Sequence, residues 1–160
     1  MRQVRPIRRG AMTLEASIVL PVMVFLLLGI VIGGMGVFRY QQVALLAREA
    51  ARYTSVRGTQ YQQWTDKNSP TEKEIMDNAV LPMAVGMDAT KISMQIEWIN
   101  GVTGDAVAWD TAKKTPRSLN ATSVAVTNNV RVRVNYVWSP GVLVPGSITL
   151  TSTSVIPMSF

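Results

Sequence analysis

The chain reads RRGAMTLEASIVLPVMVFLLLGIVIGGMGVF from Arg8 to Phe38, and this stretch determines its architecture. The last 23 of these residues, from Ala16 to Phe38, carry no charge. A helix that rises 1.5 Å per residue would extend about 35 Å over this run, which is enough to cross a bilayer. We therefore predict a transmembrane helix near the amino terminus.

Four arginines precede the apolar run, at positions 2, 5, 8 and 9. Because basic residues favour the cytoplasmic side of a membrane, they predict a cytoplasmic amino terminus and an exported remainder. A secretory signal peptide is the alternative, with Gly34-Met35-Gly36 as its small-x-small cleavage site. The apolar core of such a signal is usually only about 7–15 residues long, so the run from Ala16 to Phe38 fits this alternative poorly.

A single carboxylate, Glu15, stands at the mouth of the apolar run and five residues after Gly10. A carboxylate near lipid is costly and usually has a partner and a role. The plainer interpretation is that Glu15 lies among the lipid headgroups, solvated and unpaired. The glycine upstream and the basic leader favour a functional role.

Gly29 and Gly33 form a GxxxG pattern within the apolar run. This spacing lets two helices approach closely in a membrane. Glycine is also common in membrane helices generally, so the pattern agrees with ordinary span composition. As a functional hypothesis, the two glycines mark a helix-packing face.

Composition excludes several classes of function. The net charge of +6 suggests a nucleic-acid partner, but without the four leader arginines 12 basic and 10 acidic residues remain, a net charge of +2. That balance predicts no nucleic-acid binding. The chain contains no cysteine and no histidine, which removes disulfides, Cys/His zinc sites and a histidine general base. We predict a non-enzymatic protein without a cofactor or metal.

The first helix should continue beyond the membrane, from Thr13 to about Arg57. Residues 39–56 contain neither proline nor glycine, and Gly58 is a plausible stop. An apolar stripe recurs at three- and four-residue spacing and predicts a buried helix face. Its members are Val43, Leu46, Ala47, Ala50 and Thr54.

The remainder predicts a small domain in which strands follow helices. Residues 59–70 are polar and predict a loop, and Ser69-Pro70-Thr71-Glu72 predicts a short helix that reaches about Val80. Residues 91–98, 130–138 and 148–153 alternate or are β-rich, as strands do, and residues 105–117 predict irregular structure. The fold class is therefore α+β, a long helix followed by a small antiparallel sheet.

The chain resembles the TadE-like family, the minor pilin-like proteins of tight-adherence pilus systems. The residues that carry this resemblance are Gly10-Ala11, Leu14-Glu15-Ala16, Leu20-Pro21, Gly29 and the segment Leu46-Ala47-Arg48-Glu49-Ala50-Ala51-Arg52. Residues 130–136, the loop from Pro140 to Gly146 and the last Thr/Ser strand follow the family pattern more loosely. Residues 59–128 carry none of it.

The resemblance implies a processing site and a set of partners. A prepilin peptidase would hydrolyse the bond between Gly10 and Ala11, and Glu15 would act in recognition or neutralise the new α-amine of an adjacent subunit. The expected partners are this peptidase, other pilin and pseudopilin subunits, the inner-membrane assembly platform and the lipid bilayer. The implied domains are a leader (1–10), a transmembrane and extended helix (11–57) and an exported α+β domain (58–160).

Three classes of function therefore stand side by side. The first is a minor pilin or pseudopilin of a tight-adherence pilus in the bacterial inner membrane, which acts in pilus assembly or adhesion and either stays in the membrane or enters the extracellular filament. The second is a membrane-anchored adaptor of a secretion system that keeps its leader. The third is a secreted domain released by a conventional signal peptidase. The state of the mature amino terminus distinguishes these classes.

Overall fold

The computed structural model describes residues 9–141 and 145–159, with side chains from Met12 onward. The chain forms two compact units, which divide between Val37 and Phe38. This division falls within the first helix, and residues 38–55 belong to the same unit as the sheet. The division into a leader (1–10), a helix (11–57) and an exported domain (58–160) stays a prediction.

Helix α1 spans Arg9–Ser55, close to the predicted range of 13–57, and contains Pro21. The stripe predicted on its second half is buried: Val43, Leu46, Ala47, Ala50 and Thr54 are each at most 1% exposed. The buried hydroxyl of Thr54 donates a hydrogen bond to the carbonyl oxygen of Ala50 at 2.7 Å, so it is not left without a partner. The stripe forms one side of the core of the second unit.

The main sheet has four antiparallel strands in the order β2-β1-β5-β6. The strands are β1 (Ile92–Ile99), β2 (Ala106–Ala108), β5 (Asn129–Trp138) and β6 (Ile148–Pro157). The alternation predicted for β5 is confirmed, because Val130, Val132, Val134, Tyr136 and Trp138 are all buried. These side chains supply the sheet's contribution to the core. The α+β prediction is confirmed: a long apolar helix precedes a small antiparallel sheet domain.

The described chain also contains several short helical segments and a second small sheet. Helix α3 (Glu72–Ile75) begins where the sequence predicted and continues through a π-helical turn to Val80. Strands β3 (Arg117–Leu119) and β4 (Ala125–Thr127) pair around a turn held by the Asn120 side chain.

The loop prediction for residues 59–70 was wrong in its first half, where helix α2 spans Thr59–Thr65. No side chain of α2 is buried, so its sequence carries no apolar stripe from which a helix could be predicted. Its first residue is fixed by a segment that is distant in sequence, because the Thr59 N–H donates to the carbonyl oxygen of Lys114 at 3.0 Å. Residues 105–117 are likewise only partly irregular, since they include β2.

Candidate functional site

The predicted cleavage site lies at the start of α1. Gly10 and Ala11 are in the first turn of the described helix, and only the backbone of Ala11 is described. Three of the four leader arginines, Arg2, Arg5 and Arg8, lie outside the described residues. Because the first N–H groups of a helix have no partner within it, the first turn opens more easily than the turns that follow. A peptidase that requires an extended backbone at Gly10 would thus act at the weakest part of the helix.

Glu15 is exposed on the helix, four residues after Ala11. Residues four apart lie on the same face of a helix, about 6 Å apart along its axis. The carboxylate borders a shallow apolar depression lined by Met12, Ala16 and Val19. Among the side chains that the structure describes, none forms a salt bridge with Glu15. An α-amine formed at Ala11, in this chain or in a neighbouring one, would supply a cation for this carboxylate.

The helix surface between Met12 and Val37 is apolar and open. No side chain in this range is buried, and Phe25 is 73% exposed. In the described part of the chain, α1 is the one helix that is long and apolar enough to span a membrane. An exposed apolar surface of this size marks a contact with a membrane or with other proteins.

The GxxxG glycines leave a gap in this surface. A Cβ atom placed on Gly29 or Gly33 would meet no atom within 4 Å, other than the helix's own neighbouring backbone. The glycines are therefore not required by packing within the first unit. Their positions have room for the backbone of another helix to approach.

An aromatic cluster that sequence reasoning missed lies between α1 and α2. The guanidinium carbon of Arg57 lies 3.5 Å from the ring centroid of Tyr53 and 5.8 Å from that of Tyr61. A shallow groove next to it is lined by Val56, Arg57, Tyr61, Trp64 and Thr65. The four-residue spacing of Tyr53, Arg57 and Tyr61 was the available signal. It was obscured because Gly58 indicated the end of the helical pattern.

Three titratable groups with shifted pKa values, Glu72, Glu74 and Lys114, lie around the start of α3. Elsewhere, hydrogen bonds from Thr90 lower the pKa of Asp88. Burial, and then the charge of Asp110, raises the pKa of Glu72 above its ordinary value. Burial lowers the pKa of Lys114, whose ammonium lies 5.0 Å from the ring centroid of Trp109. Asp110 itself accepts a hydrogen bond from the Glu72 N–H at 2.9 Å. These contacts join the start of α3 to the segment after β2. The pKa shifts of Glu72 and Lys114 therefore follow from packing within the domain.

Among the described residues, no group of three or more acidic side chains is arranged to hold a metal ion. Histidine and cysteine, the other usual ligands, do not occur in the sequence.

Comparison with known proteins locates the resemblance in the first part of the chain. The model of the TadE-like protein family matches residues 10–52. No curated protein and no solved structure shows a significant match. The matched range begins at the predicted cleavage site, passes through the open apolar surface and ends within the buried stripe of α1. The predicted resemblance to the TadE-like family is therefore confirmed over residues 10–52.

Proposed function

We propose that this chain is a minor pilin or pseudopilin of a tight-adherence pilus system, with a structural role and no enzymatic one. The observation that carries the proposal is the match of residues 10–52 to the TadE-like family, on a helix with two different halves. Residues 12–37 bury no side chain, whereas the stripe from Val43 to Thr54 is buried. A helix that is open in its first half and packed in its second suits a subunit that is held by lipid or neighbours and carries a folded domain.

The amino terminus would lie in the cytoplasm and the second unit outside the inner membrane. The leader arginines support this orientation, because basic residues are retained on the cytoplasmic side. Prepilin peptidase would cut between Gly10 and Ala11, which removes the four arginines and creates an α-amine at the start of the helix. The inner-membrane assembly platform would then transfer the subunit into a pilus or retain it as part of the assembly machinery.

Gly29 and Gly33 would form a contact with other pilin subunits. Their unobstructed positions support this role, since a neighbouring helix could approach the backbone there without meeting a side chain. The adaptor and secreted-domain alternatives assign no cleavage role to Gly10 and no assembly role to Glu15. They therefore predict different outcomes when these residues are replaced.

Replacing Gly10 with valine tests the processing step. We expect Gly10→Val to abolish maturation, because a branched side chain would fill the space that glycine leaves for the peptidase. Gly29→Val is the matched control, since a Cβ atom there meets no neighbour within 4 Å, and it should mature as the wild type does. Intact mass of each protein from membranes of the native host measures the result. A Gly10→Val chain that begins at Ala11 would refute glycine-dependent cleavage.

A further inference from the structure

Strand β6 forms a long edge of the main sheet. It has ten residues, Ile148–Pro157, and within the described chain it pairs with β5 alone. The opposite edge is β2, which has only three residues. An edge strand presents a row of N–H and C=O groups that can pair with another strand, and a short edge limits such pairing. The short edge strand β2 therefore limits pairing with a further strand, whereas the long edge strand β6 allows it.

The sequence of β6 lacks the usual protection against strand addition. None of its residues is charged, and its one proline, Pro157, is the last residue of the strand. Proteins usually protect edge strands with lysine, inward-pointing charges, bulges or a proline within the strand. Residues 148–156 all retain their N–H donors. The edge is therefore chemically suited to pair with a further strand.

Apolar side chains of β6 remain partly uncovered. Ile148 is 51% exposed and Val155 is 52% exposed, at opposite ends of the strand. Leu150 and Ile156, which lie opposite the buried Tyr136 and Val130 of β5, are only half-buried. Another strand beside β6 would cover these side chains and extend the sheet.

The order of side chains along β6 identifies the partner. Residues 148–156 read ITLTSTSVI, and the pattern is nearly the same in reverse about Ser152. Isoleucine stands at both ends, a β-branched residue stands next to each, and Thr151 and Thr153 flank the centre. In an antiparallel pair of identical strands related by a two-fold axis at one residue, that residue faces its own copy. A residue on one side of it faces the residue equally far on the other side.

We propose that a second copy of this chain pairs antiparallel with β6 about a two-fold axis at Ser152. Ile148 of each strand then faces Ile156 of the other, Thr149 faces Val155, and Thr151 faces Thr153. Cross-strand pairs of β-branched side chains and of threonine hydroxyls stabilise such a ladder, and no like charges face one another. The result is a continuous sheet of eight strands. The inference rests on the strand edge alone and holds whether or not the leader is removed.

A cysteine introduced at the axis tests this arrangement, because the natural chain contains no cysteine. Residues directly opposite in an antiparallel pair have Cα atoms about 4.5–5.5 Å apart, within the range of a disulfide. We expect the full-length Ser152→Cys protein, in detergent micelles under mild oxidation, to shift mostly to a disulfide-linked dimer. The dimer has twice the monomer mass of 17.5 kDa, or twice that of the mature chain.

Ser154→Cys is the matched control on the same strand face. In the proposed register Ser154 faces Leu150, so the two Ser154 residues are displaced by four residues along the strands. Four residues correspond to about 13 Å, beyond the reach of a disulfide. Ser154→Cys alone should remain mostly monomeric, whereas a mixture of Leu150→Cys and Ser154→Cys should give the mixed dimer. Equal yields for Ser152→Cys and Ser154→Cys would reveal unspecific collision and overturn the proposal.

A charge exchange on the outer face provides a second, independent measurement. Thr151 and Thr153 are exposed opposite Asn135 and Arg133 of β5, so charged replacements there leave the buried side chains of the core unchanged. In the Ser152→Cys background, Lys at both positions should abolish the disulfide dimer, and so should Glu at both. Mixing the two proteins should restore it as a Lys-chain to Glu-chain dimer. Cross-linking that is insensitive to these charges, or is not restored on mixing, would contradict strand pairing at β6.

Discussion

Glu15 is the residue on which the proposed assembly depends most directly. It is the one charge among residues 12–38, and it stands on an exposed apolar helix surface. A carboxylate moved from water toward hydrocarbon requires a partner, and breaking such a pair leaves an uncompensated charge. The α-amine of Ala11 would be a suitable partner only after cleavage. In the proposed function, Ala11 and Glu15 would thereby link processing to assembly.

We expect Glu15→Gln to be cleaved normally but to enter filaments about tenfold less well or worse, a loss of about 1.4 kcal/mol or more per contact. The amide keeps the size of the side chain but removes the charge that would neutralise the amine. The mature amino terminus and the amount of subunit in sheared pili measure the two effects separately. Ser17→Ala is the control, because the Ser17 hydroxyl donates to the Leu14 carbonyl oxygen of its own helix at 2.8 Å. Glu15→Gln at wild-type levels in sheared pili would exclude the pairing.

At the scale of elements, α3 shows how a short helix is fixed by its first turn. The Thr71 hydroxyl accepts from the Glu74 N–H at 3.3 Å, and the Glu74 carboxylate accepts from the Thr71 N–H at 2.7 Å. This capping box satisfies two N–H groups that have no partner within the helix. The hydrogen bonds from the Thr71 backbone and side chain also lower the pKa of Glu74 below its ordinary value.

Thr71→Ala should reduce the free energy of unfolding by about 1 kcal/mol at neutral pH, as measured by chemical denaturation of the full chain in detergent. A lowered pKa in the folded state means that the ionised carboxylate stabilises the fold above its unfolded-state pKa. This stabilisation is lost as the pH falls through the folded-state pKa. The difference in the free energy of unfolding between wild type and Thr71→Ala should therefore become smaller in acid. Thr65→Ala is the control, since its hydroxyl donates to the Tyr61 carbonyl oxygen within α2. A difference that widens in acid would contradict the role of the cap.

The elements with a clear period or a clear cap could be predicted from the sequence. The stripe of α1, the alternation of β5 and the start of α3 each depend on local patterns that the structure confirms. Helix α2 and strands β2, β3 and β4 are too short to show a clear apolar period. The first residue of α2 also depends on contacts with the distant Lys113–Lys114 segment. Such contacts leave no local pattern in the chain.

Asn128 shows why these contacts escaped prediction. Its fully buried side chain accepts from the Gly101 N–H and donates to the Thr115 carbonyl oxygen, each at 2.8 Å. Its backbone carbonyl oxygen accepts from the Met158 N–H at 2.9 Å. One asparagine thus connects three segments that are far apart in sequence. Only the folded chain shows that these segments meet.

For the whole molecule, two kinds of surface remain to be covered. The first is the apolar surface of α1 between Met12 and Val37, which requires lipid or neighbouring helices. The second is the edge of β6, which we propose a second copy covers. The first unit would therefore determine where the chain resides, and the second would determine how chains pair. The aromatic cluster around Arg57 belongs to the second unit and is separate from both surfaces in sequence.

The mature amino terminus distinguishes the proposed pilin from both alternatives. The measurement is the intact mass of the protein extracted from membranes of its native host. We expect a chain that begins at Ala11, which would establish prepilin-type processing. A chain that still begins at Met1 would indicate a permanent anchor, and one that begins near Val37 would indicate an ordinary secreted domain. Either of these results would contradict the proposed role in pilus assembly.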